Sequence, residues 1–293
     1  MILYRVQIEL KSPLVTALKG DTIWGHVAWG VANNEGDEGI KSFLQDCKGE
    51  SPSFVVSSAF PAGFICKRIP ELEERKENLS KDDYAKIKQR KKEKYAKASD
   101  YLDVEDVQGD GKNVNVFIEN TVTHNTISRF TNTVEEGGLY SVEELWSEKG
   151  KEKFDFYVLS SYTKDRVQQL CTWAFENGFG ADSSVGKGNI EVLSVNEVKP
   201  KFHGSKYMAL SPFVVPDMSE IEDLRADIFI RSGKIGGTFA SCVSPWKKTV
   251  VLYNEGAVFT SKKPLQYIGK LLENVHTDSR ICQSGFSIVI PIE

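Results

Sequence analysis

The stretch Glu176–Val192, ENGFGADSSVGKGNIEV, gathers four glycines and one lysine into a short span. Such a composition suits one kind of chemistry, the approach of bare backbone to an anion. A Walker loop needs GxxxxGK[ST] after a strand and before a helix, so that helix-terminal amides and a hydroxyl meet phosphate and magnesium. The sequence departs from that pattern. Gly180 and Gly186 enclose five residues rather than four, Gly188 stands where Ser or Thr should be, and the flanking patterns read helix, loop, strand. The same order excludes a dinucleotide fingerprint. What remains is a loop of small residues, Gly178, Gly180, Ala181, Ser183, Ser184, Gly186 and Gly188, with Lys187 as its cation. It suits an extended phosphodiester, and it suits equally an ordinary helix-to-strand connection with tight turns.

A second constellation is HNTISR. His124 offers a ring for stacking, Asn125, Thr126 and Ser128 offer amide and hydroxyl groups, and Arg129 offers a guanidinium fork. These groups suit splayed single-stranded bases and phosphates, and they are also common residues of a polar hairpin turn. Asp21 precedes a helical stripe and reads as an N-cap rather than a catalytic carboxylate. His26 lies one turn further on, with no partner to make it a general base, and reads as a packed or surface histidine. His203 and His276 lack metal-ligand spacing. Lys247 and Lys248 suit an RNA or acidic-protein contact and suit a solvated loop equally. The five tryptophans read as core or interface anchors. No catalytic residue, metal site or cofactor is expected.

The elements that must position these residues follow from periodicity. Ile2, Tyr4, Val6, Ile8 and Leu10 alternate with polar residues, the signature of a strand with one buried face, and Ser12-Pro13 ends it. Asp21 or Thr22 can cap a helix bearing Trp24, Val27, Ala28 and Val31 on one stripe; Ile40, Phe43, Leu44 and Cys47 mark a second short helix. VNVFIENTV from Val114 and FDFYVLS at 154–160 read as strands, with polar HNTISRFTN between them. Val167, Leu170, Cys171 and Ala174 give a helix over 164–176, stopped by Asn177-Gly178, and NIEVLSV is the next strand. The order strand, helix, strands, helix, strand matches a split βαβ, ferredoxin-like layout of the α+β class. The carboxyl-terminal part opens at YMALSPFVVP and closes on the alternating GFSIVIPI, so it too starts and finishes on strands.

The chain has 293 residues, 40% hydrophobic, enough for a real core and for two domains. A first domain over 1–200 contains a charged insertion near 67–112 and a polar finger near 114–140; a smaller second domain covers 201–293. From Lys81 to Lys97 eight Lys or Arg accompany three Asp or Glu, which reads as a solvated helical face. The net charge of -4 argues against coating long polyanions, so a bound polyanion must be short or gripped by neutral donors. No apolar run spans a bilayer, and the first residues lack a signal-peptide layout, which points to the cytoplasm. Five widely spaced cysteines suggest reduced thiols rather than disulfides or zinc.

These residues carry a resemblance. GFGxxSSxGxG between the second helix and the fourth strand resembles the glycine-rich loop of the RAMP superfamily of CRISPR proteins. LKSPL…LKGDTIWGH, HNTISRFT, GGLYSVEELW, LSPFVVP, GGTFA…PWKK and SGFSIVIPI are similar, in order and over nearly the whole chain, to the fourth subunit of the type III-A Csm effector. That branch is related to the Cas-five-like group. The resemblance implies two ferredoxin-like RAMP domains, the first with the glycine-rich loop and inserted segments. It implies a non-catalytic subunit that caps the five-prime tag of the CRISPR RNA and docks on the large polymerase-like subunit and the backbone RAMP subunit. By motif position Lys19, Gly20, Asp21 and Thr22, the segment His124 to Arg129, and the loop Gly178 to Gly188 face the tag. Relatives often carry Lys or Arg in the middle and at the end of that loop, whereas this sequence has Asp182, Ser183 and Asn189. Lys187 and backbone donors are then left to hold phosphate. Some RAMP relatives are metal-independent endoribonucleases, an alternative that would use His26 or His124 as base.

Overall fold

The computed structural model describes residues 1–49, 51–70, 88, 93–107, 116–236 and 244–293. Its first sheet contains β1 (Ile2–Leu10), β2 (Phe54–Val56), β3 (Phe60–Pro61), β8 (Lys153–Ser160) and β9 (Ile190–Glu197). The order is β2-β8-β1-β9, every neighbouring pair is antiparallel, and β3 also pairs with β8. Two helices, α1 (Gly20–Cys47) and α2 (Lys164–Phe175), cover one face. Tyr4, Val6, Ile8 and Leu10 of β1 turn to that face, where they meet Trp24, Val27, Val31, Leu170 and Phe175. The expected second short helix is the far half of α1, set off at Gly36, whose φ of 70° is left-handed backbone that glycine adopts without a Cβ clash. Thr163 caps α2 by accepting from the Arg166 amide, and Gly178 stops it with φ 78°.

The opposite face of this sheet is also buried. Leu3, Val55, Tyr157 and Leu159 pack there against Met208, Ile288 and Ile290 of a second five-stranded sheet. That double burial explains why β8 reads as a continuous apolar run instead of an alternation. Asp155 lies in this interior with no exposed side chain, held by Arg5 at 2.8 Å and by the Gly63 amide at 2.7 Å.

The second sheet is built from β10 (Lys206–Ala209), β11 (Ile221–Arg225), β14 (Val258–Ser261), β15 (Tyr267–Ile268) and β18 (Ser287–Pro291) in the order β11-β14-β10-β18-β15. A ribbon of β12 (Ile228–Arg231) and β13 (Val250–Tyr253) and a short pair of β16 (Leu271–Leu272) and β17 (Gln283–Ser284) accompany it. Among the described residues beyond Glu197 no α-helix occurs, only a single 3-10 turn at Met218–Glu220. The helix layer of an expected second ferredoxin-like unit is therefore not seen there. One face of the sheet is buried on the first sheet; the other is closed by Phe213, Val215 and Leu265 from loops.

β4 (Phe64–Cys66) pairs with β5 (Tyr95–Lys97). The expected charged face over 81–97 falls largely outside the described residues. Cys47, Cys66 and Cys171 are buried free thiols, Cys282 is half-buried, and Cys242 is not among the described residues. No described helix is long and apolar enough to cross a membrane.

Candidate nucleic-acid interface

The glycine loop is pinned to the connection between β1 and α1 and to α1 itself. The Gly188 amide donates to the Pro13 carbonyl (2.9 Å), the Asn189 amide to Ser12 Oγ (2.8 Å) and the Ala181 amide to Thr16 Oγ1 (3.0 Å). The Gly180 amide donates to His26 Nε2 at 3.1 Å, and the His26 ring lies 4.6 Å from that of buried Phe179. Burial lowers the pKa of His26 to about 4, against a hydrogen bond to the Ala174 main chain that works to raise it. The neutral ring therefore serves as an acceptor that fixes the loop, and the packed reading of His26 is the observed one. At Gly188 a Cβ would lie 2.0 Å from the Phe179 carbonyl oxygen, so the close approach of two backbones demands glycine.

Most of the loop's amides are consumed by this bracing. Those of Phe179, Val185, Gly186 and Lys187 also donate to carbonyls within the loop. The amides left over are those of Asp182, Ser183 and Ser184. Asp182 is left-handed (φ 59°, ψ 19°) and the next residues form a right-handed turn, Ser183–Val185. That succession turns consecutive amides toward one concave side, the geometry of an anion nest. Asp182 itself supplies a charge that opposes an anion there. Gly178, Gly180 and Gly188 thus set the shape of the loop, while Ser183 and Ser184 offer the donors and exposed Gly186 closes the turn.

Lys187 does not point away as a free cation. Its Nζ lies 2.6 Å from Glu144 Oε1 and 5.7 Å from the centre of the Trp146 ring. Trp146 Nε1 donates to Glu144 Oε2 at 2.9 Å. Lys187 holds the Glu144 carboxyl below its ordinary pKa, against the opposing effect of burial. The expectation that Lys187 grips phosphate by charge is thus offset by a buried internal carboxylate, which the sequence pattern did not single out.

Glu144 belongs to a long finger. β6 (Phe117–Ile127) and β7 (Val134–Ser147) form a two-stranded ribbon that starts where Leu145 bridges Leu14. The reading that left HNTISRFTN between strands is corrected: His124, Asn125 and Thr126 lie in β6, and β7 is an additional strand. A two-stranded ribbon, each strand with a single partner and both faces largely open, has no buried alternation to betray it. His124 stacks on Tyr140, with ring centres 5.4 Å apart and planes 17° apart. Ser128 opens the end turn, its amide donating to the Thr133 carbonyl at 3.0 Å. Arg129 is exposed at the tip and Phe130 entirely so. Ile127 lies seven residues beyond Asn120, the cross-strand partner of Glu144, a distance of about 23 Å along the strand. Finger tip and glycine loop are therefore well separated along the ribbon.

The third expected group sits elsewhere. Lys19 pairs with Glu255 and points to Asn254, while Gly20 meets Ser211 and Val56 so closely that a Cβ would clash. Asp21 is buried and takes two hydrogen bonds from Arg231, Nε to Oδ2 at 2.6 Å and Nη2 to Oδ1 at 2.7 Å; Thr22 Oγ1 accepts another at 2.9 Å. Lys19 occupies the cap position without a side-chain hydrogen bond, so neither Asp21 nor Thr22 is the N-cap. The helix starts earlier than expected because Asp21 is recruited by Arg231, a partner 210 positions away that local sequence does not announce. These four residues join α1 to the second half of the chain.

No protein-family model and no curated protein matches the sequence. Solved structures do match. A chain of the Csm1-Csm4 cassette in complex with AMPPNP superposes with a TM-score of 0.60 at 14% identity, over 100% of this chain and 98% of that one. A chain of the Csm3-Csm4 subcomplex of the type III-A CRISPR-Cas interference complex superposes with a TM-score of 0.58 at 12% identity, over 100% of both chains. Csm4 is the subunit common to the two assemblies. The chain has the Csm4 fold. A chain of the type III-B Cmr-beta complex bound to cognate target RNA and AMPPnP is more distant, with a TM-score of 0.50 at 16% identity over 87% of this chain and 86% of that one. Within the Csm4 fold of this chain, Ser12, Thr16, Tyr140, Glu144 and Arg231 hold the expected site residues in place and were not singled out in sequence. The GGLYSVEELW motif contains two of them, Tyr140 and Glu144.

Proposed function

We propose that this chain is a non-catalytic RNA-binding subunit of a type III-A CRISPR effector, capping the five-prime tag of the guide RNA and bridging the large and backbone subunits. The Csm4 fold along the full chain is the observation that carries the reading, because Csm4 occurs both with Csm1 and with Csm3 in the matched structures. We read the first sheet with α1 and α2 as a ferredoxin-like RAMP domain and the all-strand second half as a reduced counterpart. The amides of Asp182, Ser183 and Ser184 would take a tag phosphate, the His124–Tyr140 pair would stack on an unpaired base, and Arg129 would take a phosphate further along. The overall charge of -4 fits a subunit that gains RNA affinity from its neighbours.

A cleaving role for His26 draws no support from its surroundings. Its Nε2 lone pair is committed to Gly180 and the half-buried ring also bonds the Ala174 main chain, so it has no free site to accept a substrate proton. The deciding experiment assembles the effector with a guide RNA carrying photoreactive nucleotides in its five-prime tag. Crosslinks to peptides spanning 120–130 and 178–188 are expected, with the tag intact after incubation. Crosslinks confined to other subunits would overturn the capping role; tag or repeat cleavage lost in His124→Ala would replace it by an enzymatic one.

A further inference from the structure

The β12–β13 ribbon has two unlike faces. Phe229, Arg231 and Leu252 turn toward the start of α1, where Arg231 holds Asp21 and Lys19 lies 5.2 Å from the Phe229 ring. Ile228 and Ile230, alternating with them, are 68% and 64% exposed, and Val251, directly across from Ile230, is 60% exposed. Beyond β12 and β13 the ribbon continues through Ser232 and Thr249, whose hydroxyls are 2.7 Å apart, to a bridge between Lys234 and Trp246. Trp246 is 55% exposed, with Lys234 Nζ 4.7 Å from its ring centre. Lys248 is exposed beside it, and among the described residues no carboxylate pairs with Lys234 or Lys248.

Single exposed apolar residues need no explanation; four large ones along one side of one ribbon do. β-Branched side chains give RNA neither stacking surface nor hydrogen bonds, whereas an aliphatic centre with a tryptophan and a polar rim is the make-up of a protein interface. The two unpaired lysines fix the sign of the partner's rim. We propose that Ile228, Ile230, Val251 and Trp246 form the centre of a docking surface for a protein partner that presents an apolar hollow rimmed by carboxylates. This rests on the effector-subunit reading, which supplies the partners. One side of a standard interface buries about 800 Å², more than four side chains provide, so neighbouring surface must contribute the remainder.

The test uses the full chain with the large subunit and the backbone subunit of the same effector. Association with each is measured by titration, and binding of a short single-stranded tag RNA is measured in parallel. Ile230→Lys and, separately, Trp246→Ala should weaken binding to one of the two subunits at least tenfold. Lys234→Glu/Lys248→Glu should weaken the same association and remove much of its salt dependence, with RNA binding and melting temperature unchanged in all three. Unchanged affinity for both subunits overturns the proposal. Loss of RNA binding with assembly intact makes the surface a nucleic-acid site and also overturns it, as does a wild-type self-association that Ile230→Lys abolishes while both subunits still bind. If the wild-type chain joins neither subunit, the effector reading and this proposal fall together; if only the ribbon variants behave as wild type, the effector reading stands.

Discussion

Lys187 Nζ stands 2.6 Å from Glu144 Oε1 and thereby ties the glycine loop to the base of the finger. Two segments expected to touch RNA independently are one mechanical unit at this point. Glu144→Gln keeps an acceptor for Trp146 and removes the ion pair. Faster amide exchange over 117–147, looser tag binding and a lower melting temperature at neutral pH are expected, because Lys187 loses the buried carboxylate that balances it. Because the folded pKa of Glu144 is depressed, the pair stabilises the protein above the unfolded value of 4.5 and loses that contribution as pH falls through the folded value. Glu144→Gln should accordingly flatten the acid limb of a melting-temperature profile below about pH 4.5.

His26 gives a second pH signature at a different position. Its folded pKa of about 4 lies below the ordinary histidine value of 6.5, so the unfolded chain binds the extra proton first. Stability conferred by the neutral ring is complete above pH 6.5 and declines toward pH 4, by about 3 kcal/mol in total. His26→Gln can still accept from the Gly180 amide but does not titrate, so it should remove this slope. His26→Leu should remove the slope and cost about 1–3 kcal/mol for the orphaned amide. Urea titrations at pH 7 and pH 5 separate the two variants.

Much of the frame was legible because its signals are local. Alternation in β1, the stripe in α1, the stripe and stop of α2 and the strand after the loop are set by neighbours within a few residues, and Gly178 ends α2 as its left-handed φ requires. The site was less legible because its partners are distant in sequence. Glu144 for Lys187, Thr16 for Ala181 and Arg231 for Asp21 are tertiary pairings that no periodicity encodes. The second strand of the expected polar finger escaped for another reason: most of its polar residues face water, so strand formation left no apolar rhythm.

The glycines of the loop should differ sharply in tolerance. At Gly188 a Cβ would meet backbone atoms of Phe179 at 2.0–2.8 Å, atoms that cannot move without breaking the Phe179–Gly188 hydrogen bond. At Gly186 nothing lies within 4 Å and only its left-handed φ of 90° resists substitution. Gly186→Ala should cost about 1–2 kcal/mol. Gly188→Ala should cost clearly more and release the loop, read as accelerated exchange at 178–189 and loss of tag binding. Equal melting temperatures for the two variants would contradict this account.

The Asp21–Arg231 pair predicts how firmly the halves are joined. Arg231→Met leaves a buried carboxylate with a long contact from Gln283 Nε2 at 3.4 Å and the unbonded charge of nearby Lys247. Such an unpaired charge costs about 3–5 kcal/mol, whereas removing both charges can be nearly neutral. Arg231→Met should therefore lower unfolding free energy severely, and Asp21→Leu combined with Arg231→Met should recover much of it. Denaturant titration of the single and double variants measures the coupling directly.

Arg129, at the exposed tip, belongs to no such framework, and its removal isolates the RNA contact from stability. Melting of Arg129→Ala should match wild type. If the guanidinium takes a phosphate, the slope of log affinity against log salt should fall by about one ion, and all tag sequences should weaken alike. Phe130→Ala at the same tip carries no charge and should leave the slope as it is, so a change in affinity there would report apolar or stacking contact instead. An unchanged slope in Arg129→Ala would remove the tip from the phosphate path and leave the nest of amides at 182–184 as the remaining anchor for the tag.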